Sequence, residues 1–456
     1  MFLGIDIGTT AIKLGLIEKN RLCYSQSMPI HTYGNETIKY QKAAEIIAVI
    51  EEEIRTIPRD LREDVDTISF STAMHSLMPK TSDENNVFLW SDQQAIRTID
   101  RFKKNQLRAQ HFYNLTGTPI HPMSTFAKIL YFQEEKRYPE YTKWLGLKEL
   151  VLHHFTKETV IDYSTASATG LFDLQEKQWS EEILEFLQID QSQLAQTVDT
   201  TMSFSIDKKI ATYLGLSSKV QVVAGASDGC LATLASFCAT NRTSSLTIGT
   251  SAAVRQLVEQ VQLDDTTQHF CYYLNEKYFV IGAPSNNGGC VLEWAQKNLA
   301  DNKTTFFNQL PEILTNSSVG AHGLRFFPYL NGERAPLWNP HLKAGFSNID
   351  LTHTRSDMIR ATIEGMLLNI RRLTQSVANH KALSVSGGFF QTETLGQLAC
   401  DILGVPCYYS THNEPIFGLY HLVVNSNDST LHEEKVFQPQ PEISRQYQFL
   451  ADNYFK

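Results

Sequence analysis

The 456-residue chain has no window of 18 consecutive apolar residues, no Cys-x-x-Cys pair and no excess of positive charge. Each absence removes a class of function. Without a long apolar run there is no candidate membrane span, and the first residues lack the basic stretch and apolar core of a secretory signal. The seven cysteines (Cys23, Cys230, Cys238, Cys271, Cys290, Cys400 and Cys407) are odd in number and scattered. They read as structural thiols in a reducing compartment, not as a disulfide framework or a zinc site. Formal net charge is −9, with both signs interspersed, which disfavours a nucleic-acid or anionic-membrane surface. A cytoplasmic location is therefore expected. His153, His154 and His322 lack ligand spacing and are assigned to structure or surface.

What is present suits a soluble globular enzyme: 42% apolar residues and 15 prolines, with a length that calls for two domains. The first stretch, "MFLGIDIGTTAIKLGLIEKN", contains two β-prone runs, Phe2 to Ile7 and Ile12 to Ile17, joined only by Gly8-Thr9-Thr10-Ala11. So short a link predicts a hairpin, which excludes the phosphate loops that lead into helices. A Gly-Thr-Thr hairpin can still hold phosphate through its amides, its hydroxyls and the missing Cβ of Gly8. Asp6, on the strand before the turn, would face those phosphates and needs a cation such as Mg²⁺ between them. A plain turn with a chance aspartate is the alternative. The pattern returns about half the chain later in "SSLTIGTSAAVRQLV", where Ile248-Gly249-Thr250-Ser251-Ala252 repeats Ile7 to Ala11 and Thr247 replaces Asp6. The repeat predicts two related domains, each offering one Gly-Thr hairpin, with only the first handling the metal.

The intervening sequence alternates strands and helices. Ile46, Ile47, Ile50, Ile54 and Ile57 recur at helical spacing before Pro58. "TISFSTAMHSLMP" is a strand running into a loop that carries Met74 and His75. "VQVVAGASDGCLATLASF" is a strand, a small-residue turn and a helix, with Asp228 at the strand end where open α/β sheets keep ligand crevices. "DMIRATIEGMLLNIRRL" is an amphipathic helix, and "LSVSGGFFQTETLGQLACDILG" repeats strand, Gly-Gly turn and helix. The fold class is α/β, with the boundary expected between Gly225 and Ser245.

Five segments in this order, "DIGTT", "GASDG", "TIGTS", "FFPYLNGERAPLWNP" and "SGGFFQTETLGQLACDILG", make the chain resemble the FGGY family of carbohydrate kinases from about Phe2 to Gly418. The resemblance implies two ribonuclease-H-like domains around a cleft, as in actin and hexokinase, here 1–235 and 236–456. It also implies ATP and Mg²⁺ as cofactors and a small sugar as partner, with no nucleic acid and no membrane; a homodimer is compatible with it. "STAMHSLM", "VIDYSTASATGLFDL" and "GAPSNNGGCVLEW" are most similar to the branch that phosphorylates gluconate, so the expected reaction is D-gluconate to 6-phosphogluconate. Phosphorylation of another sugar such as xylulose or glycerol, or a sugar-binding regulatory role with weak turnover, stands as the alternative.

By carry-over from that resemblance, Asp228 is the general base and touches the sugar, and Asp6 helps hold Mg²⁺ through water. Gly8, Thr9, Thr10, Gly249 and Thr250 contact phosphate, and Lys13 matches a basic position of the first motif. Gly387 and Gly388 let the backbone pass close to adenosine, and Met74, His75 and Asp92 bind the sugar. Each has a structural alternative: a helix N-cap for Asp228, a solvated strand residue for Lys13, a structural histidine for His75, a strand-to-helix turn for the glycine pair. His75 is expected to donate to a sugar hydroxyl or carboxylate. Glu333 and Arg334 of "GERAP" line the cleft or pair with each other. Two positions depart from the family. Gln94 stands where an Arg is expected, which removes a cation from the sugar pocket. Leu419 and Tyr420 follow Gly418 in place of small residues, and are expected to crowd their helix or reshape the adenosine pocket.

Overall fold

The computed structural model describes residues 1–81, 85–377, 381–424 and 431–455. Two mixed sheets organise the chain. The first runs in the order Ser203–Ser205, Gln221–Val223, Thr67–Thr72, Phe2–Ile7, Ala11–Glu18, Arg21–Pro29. The second runs Phe270–Tyr273, Phe279–Ser285, Ala252–Val258, Ser244–Ile248, Leu383–Ser386, Cys407–Tyr409, Lys435–Phe437.

Both short-linked stretches form the expected hairpins. Phe2–Ile7 pairs antiparallel with Ala11–Glu18 and parallel with Thr67–Thr72. Ser244–Ile248 pairs antiparallel with Ala252–Val258 and parallel with Leu383–Ser386. The sequence repeat is therefore a structural one. Every residue of Phe2–Ile7 is buried, as a strand flanked on both edges and covered on both faces must be. Helices form where the periodicity placed them: Ala43–Thr56, with Ile46, Ile50 and Ile54 buried, Asp228–Thr240, Arg355–Val377 and Glu393–Leu403.

Separate apolar clusters fill the two halves, and another lies at the seam between the sheets. There Phe2 and Ile17 of the first hairpin meet Leu231 and Leu234 of helix Asp228–Thr240 and Ile416, Leu419 and Tyr420 of helix Pro415–Val424. The side chains of Leu419 and Tyr420, which stand where small residues were expected, fill this seam: Leu419 is fully buried, and Tyr420 stacks edge-on against Phe2 while its hydroxyl accepts the Asn20 amide at 3.1 Å. Gly418 is what lets the two helices meet. A Cβ there would lie 2.1 Å from the Leu231 carbonyl oxygen, a contact with backbone that no side-chain motion relieves.

Gly418→Ala should therefore cost about 1–3 kcal/mol through overpacking, read as a lower urea-unfolding midpoint. An unchanged midpoint would show that the helices do not meet as closely as the structure has them.

Candidate active site

The two hairpins carry different residues at their equivalent positions. Asp6 lies opposite Ser71 in the parallel register, and the Ser71 hydroxyl donates to its Oδ1 at 2.6 Å. In the second sheet Thr247 lies opposite Ser386, and their hydroxyls meet at 3.0 Å. One carboxylate thus breaks an otherwise repeated arrangement. Burial pushes the Asp6 carboxyl up to about 7; the charge of Asp228 adds to the rise, while the Ser71 hydrogen bond and Lys13 oppose it. A carboxylate so desolvated, in the field of a second one, suits a cation. Among the described residues no group of three or more His, Cys, Asp or Glu side chains is placed to hold a metal alone. Mg²⁺ needs no such group, because it keeps waters and takes phosphate oxygens beside one or two carboxylates.

Asp228 is the first residue of its helix, and Ser227 occupies the N-cap position without making a side-chain cap bond. Asp228 is therefore not the N-cap residue, although its side chain takes one first-turn amide of the helix. Its Oδ1 accepts the Gly229 amide at 2.8 Å, and burial raises its pKa against the opposing charge of Arg255. The strand end before it is braced by Lys148, whose buried ammonium donates to the carbonyls of Phe70, Ala224 and Ala226 and lies 3.3 Å from Asp162.

A cavity of about 180 Å³ opens at Asp228, walled by Met74, His75, Trp90, Arg255, Tyr272 and Arg334 among others. It adjoins a second of about 270 Å³, and the two share Trp90, Met123 and Ser251. His75 holds a left-handed backbone (φ 63°), a strained conformation for a residue with a Cβ. Its carbonyl is fixed by the buried Lys128 ammonium at 3.0 Å, which also donates to Met123. Burial draws Lys128 down to about 7. The His75 Nδ1 lies 2.7 Å from the Ala168 carbonyl and must carry the proton there. Burial draws the ring down to about 3, so its free Nε2 is an acceptor. The expectation that His75 donates to a sugar hydroxyl or carboxylate is thereby corrected: a neutral ring with Nδ1–H committed can only accept from a hydroxyl.

Asp92 lines the second cavity, with both oxygens engaged by the amides of Lys39 and Gln94 and by Gln94 Nε2 at 2.9 Å. Gln94 in turn accepts from Arg137 at 3.0 Å and lines neither cavity. Glu333 and Arg334 do not pair through their side chains. The Glu333 carboxylate accepts from Ser285, Asn286, Asn287 and Asn369 and from the backbone amide of Arg334. The Arg334 guanidinium is left to the cavity, 5.2 Å from the Trp90 ring centre.

At the hairpin tips the glycine amides turn inward. Gly8 N–H donates to Ala11 O at 3.1 Å and Gly249 N–H to Ser251 O at 3.0 Å. Gly249 is therefore not an amide donor to phosphate as expected; no atom comes closer than 4.0 Å to the position of an added Cβ, so it offers room for approach. Thr10 and Thr250 are exposed and Thr9 half-exposed, with hydroxyls free to turn toward an anion. Gln41 braces the Thr9 carbonyl at 2.8 Å, and the first amides of helix Gly289–Leu299 brace the carbonyls of Gly249 and Thr250. Lys13 pairs with Glu414 at 2.7 Å, tying the first hairpin to the far side of the seam. Gly387 (φ 96°) is required by packing, since a Cβ would lie 2.2 Å from Ile248 O, whereas Gly388 faces open space.

Sequence reasoning missed Arg255 and Lys128. Each is a lone cation in an apolar stretch, "SAAVRQLV" and "STFAKILYF", and that interruption was the available signal.

A desolvated carboxylate at a helix start, a second one suited to a cation, and two hydroxyl-bearing hairpins are what phosphoryl transfer requires: a base, charge neutralisation and positioning. Comparison with known proteins agrees. Residues 1–235 match the FGGY family of carbohydrate kinases, N-terminal domain, and residues 244–421 match its C-terminal domain. The chain belongs to the FGGY family of carbohydrate kinases. The gluconokinase of Bacillus subtilis (strain 168) is 34% identical over 88% of this chain and 82% of its own. A xylulose kinase of Staphylococcus xylosus is 25% identical over 91% and 89%. Among solved structures, the gluconate kinase of Lactobacillus acidophilus superposes with a TM-score of 0.89 at 29% identity, and a ligand-bound xylulose kinase from the same organism with 0.90 at 28%; each covers 100% of this chain and 96% of the other. The protein is a carbohydrate kinase.

Asp228→Asn preserves size and the Gly229 contact but cannot take a proton, so turnover should fall about 10²–10⁴-fold with nucleotide binding retained. A base at Asp228 would work ionised, and burial raises the pKa of that carboxyl, so wild-type kcat/KM should fall with decreasing pH through a midpoint above the ordinary aspartate range. Near-native turnover of the variant would remove Asp228 from the chemistry.

Proposed function

We propose that this kinase transfers the γ-phosphoryl group of ATP to the 6-hydroxyl of D-gluconate, giving 6-phosphogluconate and ADP, with Asp228 as general base. In this reading residues 1–235 supply the sugar loops and the first hairpin, and residues 236–456 the second hairpin and the adenosine side. The observation that carries it is Asp228 standing in the wall of a cavity that Ser251 of the second hairpin also lines. The acceptor hydroxyl and the phosphate thereby meet at one carboxylate. The proton of the hydroxyl passes to Asp228, its oxygen bonds to the γ-phosphorus, and the bond from that phosphorus to the β–γ bridging oxygen breaks. His75 accepts a hydrogen bond from a substrate hydroxyl through Nε2. The hydroxyls of Thr9, Thr10 and Thr250 orient the phosphates, with Gly8 and Gly249 leaving room for them, and Gly387–Gly388 turns the backbone at the adenosine side. Asp6 would help hold Mg²⁺, which would supply charge neutralisation at the phosphates. Support for gluconate comes from the names of the relatives at 34% identity, and the xylulose kinases make a neutral ketose the second reading.

A coupled ADP-release screen against gluconate, xylulose, ribulose and glycerol should show turnover with gluconate foremost. A neutral sugar turned over faster would move the assignment to that sugar. Asp6→Asn should raise the Mg²⁺ needed for half-maximal rate by about 10–100-fold and leave the gluconate KM unchanged; equal effects on both would make Asp6 a scaffold residue. Gln94→Arg should alter gluconate affinity little, because position 94 faces neither cavity.

A further inference from the structure

The segment "VIDYSTASATGLFDL" stands out in the sequence, and neither the hairpins nor the cavity accounts for it. It folds as strand Val160–Asp162, the short helix Tyr163–Ser167 and strand Phe172–Asp173. Asp162 caps the helix, taking the amide and the hydroxyl of Thr165 at 2.8 Å each. The same carboxylate lies 3.3 Å from the buried Lys148 ammonium, which also donates to the carbonyls of Ala224 and Ala226. One cation therefore ties the helix cap to the strand end that leads into Asp228. At the far end of the helix, its C-cap residue Ala168 takes the His75 proton on its carbonyl at 2.7 Å, and Ser167 Oγ accepts the Tyr273 amide of the second sheet at 3.0 Å.

Between these anchors stands Ser164. Its hydroxyl lies 2.9 Å from that of Ser227 and accepts the Ser227 amide at 3.3 Å, and both residues are fully buried. Ser227 is the N-cap of helix Asp228–Thr240 and has the extended backbone of that position (φ −73°, ψ 148°). A serine there ordinarily turns its oxygen onto the second or third amide of its helix, here that of Gly229 or Cys230. Ser227 makes no such bond, because its hydroxyl is engaged sideways with Ser164. The Gly229 amide goes instead to Asp228 Oδ1 at 2.8 Å. Two acceptors compete for one donor, and Ser164 decides between them.

We propose that Ser164 is a positioning residue for phosphoryl transfer: by engaging the Ser227 hydroxyl it reserves the Gly229 amide for Asp228 and so sets the orientation of that carboxylate. It acts without touching substrate. The proposal rests on Asp228 being the base, as read above, and adds what orients it. Because the same helix holds the His75 ring through Ala168, it also fixes the two cavity groups relative to each other.

The test compares wild type, Ser164→Ala and the double variant Ser164→Ala/Ser227→Ala in the ADP-release assay, with the sugar that wild type turns over fastest. Ser164→Ala frees Ser227 to cap its own helix and take the Gly229 amide. Its kcat should fall by about 10–100-fold, the scale of a small misplacement, while the KM values for ATP and sugar change little. Removing the competing hydroxyl returns the amide to Asp228. The double variant should therefore recover most of the lost kcat, although its thermal midpoint should be no higher than that of the single variant. A crystal structure of Ser164→Ala should show Ser227 Oγ on the Gly229 or Cys230 amide. An unchanged kcat in Ser164→Ala, a double variant no faster than the single one, or a Ser227 still turned away from its helix would overturn the role of Ser164 and leave the kinase reading standing. Near-native turnover of Asp228→Asn would instead remove the base on which both rest.

Discussion

The arrangement depends on two carboxylates, Asp6 and Asp228, kept out of bulk water within each other's field. Desolvation alone favours their neutral forms. A structure that keeps two such groups together needs something to compensate them, and the surroundings supply it asymmetrically. Asp228 has Arg255 and the Gly229 amide; Asp6 has a serine hydroxyl and a lysine already paired with Glu414. The shortfall lies on the Asp6 side, where a divalent cation and phosphate would enter. The equivalent pair in the second sheet, Thr247 and Ser386, is neutral and self-satisfied. The two sheets share a frame, and Asp6 against Thr247 makes their hairpins chemically different.

The seam has a matching mechanical logic. Helix Asp228–Thr240 begins with the proposed base and packs on helix Pro415–Val424, at a distance that only Gly418 permits. Asp228 is thus mounted on an element at the seam between the sheets. Lys148 fixes the strand ends before it through three backbone carbonyls, and Lys128 fixes the cavity wall at His75 and Met123 in the same way. Both lysines are buried inside the first half and act as internal struts. Positioning on this scale is what lets a modest set of side chains accelerate a reaction with little covalent chemistry of its own.

Much of this was legible in the sequence because it was written in local pattern. The link of four residues forced hairpins, the isoleucine spacing forced helix Ala43–Thr56, and the repeat of Ile7 to Ala11 at Ile248 to Ala252 announced the duplicated frame. What escaped was tertiary. Leu419 and Tyr420 read as bulk beside the nucleotide because sequence does not say which face of a short helix meets which sheet. His75 read as a donor because the Ala168 carbonyl that takes its proton is remote in the chain. Gln94 read as a lost cation because Arg255 and Arg334 come from the other half, and an arginine in an alternating strand looks like an outward residue. Glu333 and Arg334 are adjacent in sequence, yet the fold gives one to a buried hydrogen-bond cluster and the other to the cavity.

The central claim is that one carboxylate, Asp228, receives the hydroxyl of the sugar acceptor beside the two hairpins. A crystal structure with gluconate, Mg²⁺ and a non-hydrolysable ATP analogue tests it most directly. The account predicts the C6 hydroxyl within hydrogen-bond distance of Asp228 and the γ-phosphate between the tips at Thr9–Thr10 and Thr250. Gluconate bound with no hydroxyl at Asp228 would contradict it.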